Sequence, residues 1–211
     1  PEPVPAELDY DMWLGPAPYK PYNIHRTHQT FRGYWDYDAG GLGDMGQHYI
    51  DPVQYILGKD ETSPVKVEVD APMQHPDAAG TWRSITYTYE DGCQIVLWGG
   101  DFGDPNTPYI AGPKGNVYKN FVCDIPDWEK KLADYPDPDP QQTDFIDSVK
   151  TRKPFALNER NGSRSATIVN MGATALRLHR TLEFDPVKLE FVNDDAANKL
   201  LDQPMRAPWN I

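Results

Sequence analysis

The chain has 211 residues, a length that fits one domain built around a single hydrophobic core. Its 32 acidic and 20 basic side chains give a formal net charge of -12, so the phosphate backbone of a nucleic acid would be repelled. No run of about 18 apolar residues occurs, so no segment is expected to span a membrane.

The two cysteines and the first three residues give information on the cellular compartment and on whether the chain is part of a longer protein. Cys93 and Cys123 are too few for a disulfide framework, although one bridge between them stays open. The compartment is therefore undetermined between the cytoplasm and the periplasm of a bacterium. The chain opens with Pro1, Glu2 and Pro3, without an initiator Met or a leader-like segment, which we interpret as the interior of a longer protein.

Helices are predicted where apolar side chains recur three and four positions apart, or where a capping residue precedes such a pattern. They cover residues 42–57, 139–151, 163–180 and 194–201. Pro52 lies inside the first and would remove one backbone hydrogen bond. Asp139 and Pro140 supply a cap and a first-turn proline for the second. Residues 1–40 are rich in Pro, Tyr and Trp without a period, which predicts an irregular segment held by its aromatic side chains.

Strands are predicted where β-branched and aromatic residues alternate with polar ones. They cover residues 65–69, 82–89, 94–98, 182–184 and 189–191. Asp91 and Gly92 favour a tight hairpin turn between the second and third strands, so these strands should pair antiparallel. A further hairpin is predicted around residues 112–115. Because the strands are grouped in the middle and the helices toward the ends, we expect an α+β domain around an antiparallel sheet.

The motif most suggestive of chemistry is Gly40-Gly41-Leu42-Gly43-Asp44-Met45-Gly46-Gln47-His48. Asp44 and His48 are four positions apart on a predicted helix and therefore share a face. An imidazole can move a proton near neutral pH, and a nearby carboxylate can fix its tautomer and stabilise its cation. Such a pair could take the proton from an alcohol during oxidation. The structural alternative is that Asp44 caps the first turn and His48 packs without a chemical role.

A second candidate region precedes this helix and combines basic, aromatic and acidic side chains. Its candidates for substrate binding are Arg26, His28, Trp35 and Asp36. A sugar site needs this mixture, because hydroxyls bind charged donors and acceptors while the faces of the ring lie on aromatic side chains. The same residues also fit an aromatic core surrounded by solvated charges. No compact metal-ligand motif is present, so no metal is expected.

Several nucleotide-binding and catalytic motifs are absent from the sequence. There is no Gly-x-Gly-x-x-Gly between a strand and a helix, no phosphate-binding loop and no Gly-x-Ser-x-Gly turn. We therefore expect that this chain does not hold a nicotinamide dinucleotide by itself.

Ordered segments along nearly the whole chain carry a family resemblance. They are residues 8–18 (LDYDMWLGPAP), 31–37 (FRGYWDY), 44–48 (DMGQH), 145–150 (FIDSVK), 163–166 (SRSA), 175–178 (ALRL) and 206–209 (RAPW). In order and spacing they resemble the C-terminal, substrate-binding domain of the bacterial Gfo/Idh/MocA oxidoreductases. One departure is the segment Asn161-Gly162-Ser163 before Arg164-Ser165, where relatives often have a histidine, so no pocket role is expected there.

The resemblance implies a two-domain enzyme in which an N-terminal Rossmann domain binds NAD or NADP. The present chain would be the second domain, an open antiparallel sheet flanked by helices and similar to the C-terminal domain of glyceraldehyde-3-phosphate dehydrogenase. It implies a carbohydrate or polyol substrate, His48 as the proton-transferring histidine and Asp44 as its partner. Arg26, His28, Trp35 and Asp36 would lie near the substrate. It also implies a homo-oligomer formed through the outward face of residues 82–89.

Three other functions stay open at this point. The chain could be a carbohydrate-binding or scaffold domain without chemistry of its own. The parent enzyme could be an NAD-dependent glycosidase or epimerase that oxidises its substrate only transiently. A cofactor-independent sugar isomerase or hydrolase would instead require turnover by this chain alone.

Overall fold

A computed structural model describes residues 1–100, 106–136 and 143–209. The chain divides into two compact units, of which the first comprises Pro1–Gly99 with Glu159–Ile211 and the second Gly100–Asn158. Whether both belong to one domain, as the length predicts, stays a prediction.

The described part of the chain contains six α-helices and seven strands. The helices are α1 (Tyr10–Leu14), α2 (Gly40–Ile56), α3 (Trp128–Ala133), α4 (Phe145–Thr151), α5 (Glu159–Leu178) and α6 (Asp195–Asn198). The strands are β1 (Lys66–Asp70), β2 (Ser84–Thr88), β3 (Gln94–Trp98), β4 (Ile110–Gly112), β5 (Gly115–Val117), β6 (Leu182–Asp185) and β7 (Glu190–Phe191). Short 3-10 helices at Ile24–Arg26, His28–Gly33 and Lys119–Phe121 complete the structure.

The first unit is built on a five-stranded sheet with the order β3-β2-β1-β6-β7, in which every pairing is antiparallel. The predicted hairpin is confirmed, because β2 pairs with β3 and Gly92 takes the positive φ of 82° that its turn requires. The α+β class with an open antiparallel sheet is therefore confirmed.

The hydrophobic core lies between one face of this sheet and helices α2 and α5. Alternation along β2 buries Ile85 and Tyr87, and the helices contribute Leu42, Ile50 and Ile168 among others. Each fully buried side chain of this kind contributes roughly 1.5–3 kcal/mol of hydrophobic stabilisation. This packing fixes the positions of α2 and α5, the two helices that carry the residues discussed below.

Close approach of α5 to the sheet depends on one glycine. A Cβ atom added at Gly172 would lie 2.2 Å from the hydroxyl oxygen of Tyr87. That hydroxyl is buried and has no hydrogen-bond partner among the residues described, and burial raises its pKa. Any larger side chain at position 172 would push the helix away from β2.

The first forty residues are ordered, as predicted, around a small aromatic core. Tyr10, Leu14 and Tyr22 are buried together, and Asp9 caps α1 by accepting a hydrogen bond from the Met12 amide. Near the other end of the chain, the Arg206 guanidinium donates to the Gly15 carbonyl over 3.0 Å. The segments at the start and the end of the first unit are thus held together.

Helices α4, α5 and α6 begin or end at residues other than those predicted. The predicted start at Asp139 and Pro140 lies outside the described residues, and α4 begins at Phe145 with Asp144 as its cap. Helix α5 begins at Glu159, one turn earlier than predicted. Helix α6 is shorter than predicted and ends at Asn198.

Two further predictions concern the second unit and the cysteines. The hairpin predicted around residues 112–115 is confirmed by the pairing of β4 with β5. Cys93 and Cys123 are both free thiols, so the bridge left open by the sequence is not formed.

Candidate functional site

The start of α2 carries the Asp44 and His48 motif and is shaped by a very close backbone contact. Ala39 has a positive φ of 64° and precedes the helix, and a Cβ atom at Gly43 would lie 1.4 Å from the Asp38 carbonyl oxygen. Only glycine fits at this position. One turn further on, His48 lies on the exposed surface of the helix.

Asp44 has an ion-pair partner other than the one expected from the spacing. Its Oδ1 accepts a hydrogen bond from Arg32 Nε over 2.7 Å, and the Arg32 guanidinium lies 5.2 Å from the ring centroid of Phe31. Within the described part of the chain, no hydrogen bond joins Asp44 to His48, and none reaches the His48 imidazole. The role of Asp44 as the orienter of His48 therefore stays a prediction.

A second carboxyl group, that of Asp38, lies beside the Arg32 and Asp44 pair. Burial, together with the negative charge of Asp44, raises the pKa of Asp38, and the Arg32 guanidinium only partly opposes this shift. Oδ2 of Asp38 is buried without a hydrogen-bond partner among the described residues. Two carboxylates thus share the charge of one arginine.

A cavity of the first unit lies on one side of this motif and has a volume of about 750 Å³. Three separate stretches of chain line it: the aromatic segment before α2, one face of α5 and the tail after α6. The side chains used below are Trp13, Phe31, Trp35, Asp36, Asn170, Thr174, Arg177, Asp202 and Gln203. The wall therefore combines aromatic rings with hydrogen-bonding and charged groups, the composition that small polar ligands require.

A second cavity of about 350 Å³ adjoins the first. The two share several lining residues, including Trp35, Asp36 and Asn170, and the second also reaches Gly43 and Gln47 on α2. Asp44 and His48 follow these two residues by one position, which places them about 100° further around the helix. The motif thus lies on the exposed face of α2 next to the cavity wall, and neither of its side chains lines either of these two cavities.

Two of the four predicted substrate-binding residues, Trp35 and Asp36, line both cavities. Trp35 is also part of the core, and its Nε1 donates to the His75 carbonyl over 2.9 Å. Oδ2 of Asp36 is buried and accepts no hydrogen bond among the described residues, while Lys20 Nζ lies 3.8 Å away. Asp36 therefore lines both cavities as a carboxylate, with one of its oxygens enclosed in the protein near Lys20.

The other two predicted residues, Arg26 and His28, are not brought to either cavity. Arg26 pairs with Asp77 and lies over the Tyr34 ring, with its Cζ 4.3 Å from the centroid. Burial opposes ionisation of Asp77, but the hydrogen bonds from Arg26 and Lys20 outweigh it and hold the pKa of this carboxyl below its usual value. His28 is exposed in a 3-10 turn. A substrate role for these two residues stays a prediction.

Comparison with known families decides what kind of domain contains these cavities. The family model for the C-terminal alpha/beta domain of the Gfo/Idh/MocA oxidoreductases matches residues 1–211, the whole of the sequence. The chain belongs to the Gfo/Idh/MocA family. A comparison with curated proteins finds no match.

Membership of the Gfo/Idh/MocA family makes this chain a C-terminal domain of an oxidoreductase family, as the resemblance implied. Among the described residues, no group of three or more His, Cys, Asp or Glu side chains is arranged to hold a metal ion. None of the described helices is long and apolar enough to cross a membrane.

Sequence analysis did not identify the cavity wall formed by α5. Asn170, Thr174 and Arg177 recur at four and three positions and therefore share one face of the helix. From the sequence alone, Arg177 is explained by its place in the last turn of the helix, where the helix dipole favours a cation. The signal that could have revealed this wall is a polar stripe on a helix that is otherwise apolar on its buried side.

Proposed function

We propose that this chain is the substrate-binding domain of an NAD(P)-dependent oxidoreductase that acts on a carbohydrate or polyol. The observation that carries the proposal is the mixed aromatic and polar cavity beside the Asp44 and His48 motif, in a domain of an oxidoreductase family. Trp13 and Phe31 contribute aromatic surface to the lining, and Asp36, Asn170 and Gln203 offer hydrogen-bonding groups for hydroxyls.

His48 is the acid/base in this proposal. Its imidazole is exposed and has no hydrogen-bond partner among the described residues, so it is available to a substrate that extends from the cavity over the ridge of α2. Oxidation of an alcohol releases the hydroxyl proton, and His48 would accept it. Asp44, one turn away, would stabilise the resulting cation once its pairing with Arg32 is relaxed.

The hydride acceptor would be bound mainly by a separate dinucleotide-binding domain. The Gly-x-Gly-x-x-Gly pattern at residues 41–46 lies inside α2 and follows a 3-10 turn instead of a strand, so it is not a dinucleotide fingerprint. None of the elements described forms the parallel sheet on which such sites are built. When bound, NAD or NADP would supply the hydride chemistry. The present domain would supply the substrate cavity and the proton-accepting group.

The test is kinetic and uses this chain joined to a Rossmann domain that binds NAD(P). His48→Gln should lower kcat by roughly 100-fold or more, the usual contribution of a general acid or base. Tyr55→Gln is the matched control, because Tyr55 is half exposed on the same helix and lines neither cavity. Comparable dehydrogenation by the His48→Gln and Tyr55→Gln enzymes would disprove the assignment.

Binding without chemistry is the second candidate function. The observation that favours it is that the cavity lining includes neither Asp44 nor His48. Two measurements taken together distinguish binding from catalysis: calorimetry with sugars on this chain alone, and the kinetic test on the two-domain enzyme. Sugar affinity that persists alongside an inactive two-domain enzyme would support the binding role and exclude the catalytic one.

We also propose that the outer face of the sheet associates with a second copy of the chain. Val96 and Trp98 on the edge strand β3 leave 53% and 56% of their surface exposed on that face. Sedimentation of wild type and Trp98→Glu should show a smaller species for the variant. Val187→Glu, in an exposed turn, serves as the control, and a monomeric wild type would overturn the proposal.

A further inference from the structure

Arg177 is a half-buried cation without a carboxylate partner. Arg32, Arg180 and Arg206 each form an ion pair with an aspartate, two further arginines do the same, and Arg160 pairs with Glu61. No ion pair or hydrogen bond involves the Arg177 guanidinium among the described residues. A guanidinium has five donors in a planar fork, and partial burial removes part of the water that would otherwise satisfy them.

Arg177 lies in the wall of the larger cavity. Arg177 is one of the residues that line this cavity, and its Cζ lies 5.9 Å from the ring centroid of Trp35, which lines the same cavity. Contact with an aromatic ring restricts the orientation of the guanidinium without using its N–H donors. A planar anion that enters the cavity can accept two of these donors side by side.

The other polar side chains that line the cavity can form hydrogen bonds with the hydroxyl groups of a ligand. Asp36 lines the cavity as a carboxylate, which can only accept when it is ionised. Its Oδ2 is enclosed near Lys20, so a ligand hydroxyl would donate to the other oxygen. Asn170 and Gln203 can both donate and accept. The cavity therefore offers a cationic fork for an anion and neutral or anionic groups for several hydroxyls.

The charge balance favours a singly charged anion. Arg177 is accompanied in the lining by Asp36 and Asp202, and Asp36 is only partly neutralised by Lys20 at 3.8 Å. A phosphate ester carries close to two negative charges at neutral pH and would be opposed more strongly by these carboxylates. A carboxylate carries one charge and has the planar geometry that pairs with the guanidinium.

From these observations we propose that the larger cavity binds a sugar acid, with Arg177 holding the carboxylate and Asp36, Asn170 and Gln203 contacting the hydroxyls. This inference rests on the proposed function, because it specifies the class of carbohydrate that the same site takes. Arg177 is then the residue that determines specificity between acidic and neutral sugars.

The experiment is a binding comparison on the full chain by calorimetry at low ionic strength. The probes are glucuronate, glucose and glucose 6-phosphate, which differ chiefly in the group at one carbon. Wild type should bind glucuronate roughly 10- to 100-fold more tightly than glucose, since a hydrogen bond to a charged group contributes about 1.5–3 kcal/mol. Arg177→Gln should lose this preference while it retains affinity for glucose.

Two further variants make the result interpretable. Arg177→Lys keeps the charge without the fork and should show an intermediate preference. Arg83→Gln removes a cation whose side chain is 71% exposed and does not line the cavity, and this variant should bind as wild type does. Near-ultraviolet circular dichroism on each variant confirms that its aromatic packing is retained.

Each outcome decides one of the two proposals. Equal affinity of wild type for glucuronate and glucose, or a preference that persists in Arg177→Gln, overturns the sugar-acid inference and leaves carbohydrate binding intact. Tighter binding of glucose 6-phosphate than of glucuronate also overturns it, in favour of a phosphosugar. Absence of binding by all three probes would instead count against the carbohydrate site itself, and the inference would fall with it.

Discussion

Arg32 Nε lies 2.7 Å from Asp44 Oδ1, so the carboxylate predicted to serve His48 is bound by an arginine from the preceding 3-10 turn. The side chains of Arg32 and Asp44 are 44% and 37% exposed. An ion pair that is this accessible to water contributes about 0–1 kcal/mol. The pair therefore positions Asp44 without holding it tightly, and a rearrangement toward His48 would cost little.

From this ion pair we predict that replacing Asp44 lowers kcat more than replacing Arg32 does. In the two-domain enzyme, Asp44→Asn should lower kcat by roughly 10-fold or more, because the His48 cation loses its stabilising charge. Arg32→Gln should have a smaller effect, and the double variant should resemble Asp44→Asn. Steady-state kinetics on the three variants measure the coupling. Equal losses in Arg32→Gln and Asp44→Asn would mean that Asp44 serves only to bind Arg32.

The shifted ionisation of Asp38 predicts a pH-dependent stability. Burial and the charge of Asp44 raise its pKa in the folded state, so the unfolded chain releases this proton at lower pH than the folded one. The contribution of Asp38 to stability therefore falls as pH rises from about 4, the usual carboxyl value, through the raised folded value. Asp38→Asn should raise the unfolding temperature at pH 7, by about 2–4 °C for each kcal/mol gained. The advantage should vanish near pH 3, and an advantage independent of pH would contradict this explanation.

The contact of Gly172 with Tyr87 predicts a paired effect on stability. Gly172→Ala should cost about 1–3 kcal/mol, because the added methyl group overlaps the Tyr87 hydroxyl. Tyr87→Phe removes a buried hydroxyl without a described partner and should stabilise the chain by about 1 kcal/mol. Denaturant unfolding of the double variant should recover part of the loss. Gly162→Ala is the control on the same helix, since its Cβ would meet nothing within 4 Å.

The lowered pKa of Asp194 predicts that the folded chain loses stability in acid. Hydrogen bonds from Arg180 and from the Ala197 amide, which Asp194 caps at the start of α6, lower its pKa to about 2. Because the folded value lies below the unfolded value of about 3.9, the stabilisation is complete above pH 4 and is lost as pH falls toward 2. Asp194→Ala should cost about 1 kcal/mol at pH 7 for the cap alone and should flatten the acid dependence.

The neighbouring Asp195→Asn is the control for that experiment, because Asp195 is not the capping residue of α6. Thermal unfolding between pH 2 and 7 measures both variants. An unchanged acid dependence in Asp194→Ala would show that other carboxyl groups control it.

The secondary structure was largely predictable from the sequence, because periodicity reports which face of an element is buried. Alternation along β2 identified its buried face. On α2 the three-and-four spacing identified the helix but not its buried face, because Met45, Tyr49 and Ile56 of the apolar stripe are exposed while Gln54 is buried. Helix starts were predicted less well. Asp139 and Asp144 both precede suitable helical sequence, and only the folded chain shows that Asp144 caps α4.

The candidate site was predictable only in its local parts. The spacing of Asp44 and His48 follows from the helix, and Trp35 and Asp36 do line the cavities. The pairing of Arg32 with Asp44 depends on how the irregular segment before α2 packs against that helix. Hydrophobic periodicity in the sequence does not predict such packing. The contribution of Arg177 depends on packing between segments that are distant in sequence.

The larger cavity has walls from the segment before α2, from α5 and from the tail after α6, and so exists only when the beginning, the later helix and the end of the chain have all assembled. A molecule that occupies it must bind the native state in preference to the denatured one. Its presence will then shift the melting transition upward in proportion to the logarithm of its concentration. Natural metabolites can accordingly be screened by calorimetric melting, with no assumption about the reaction that follows.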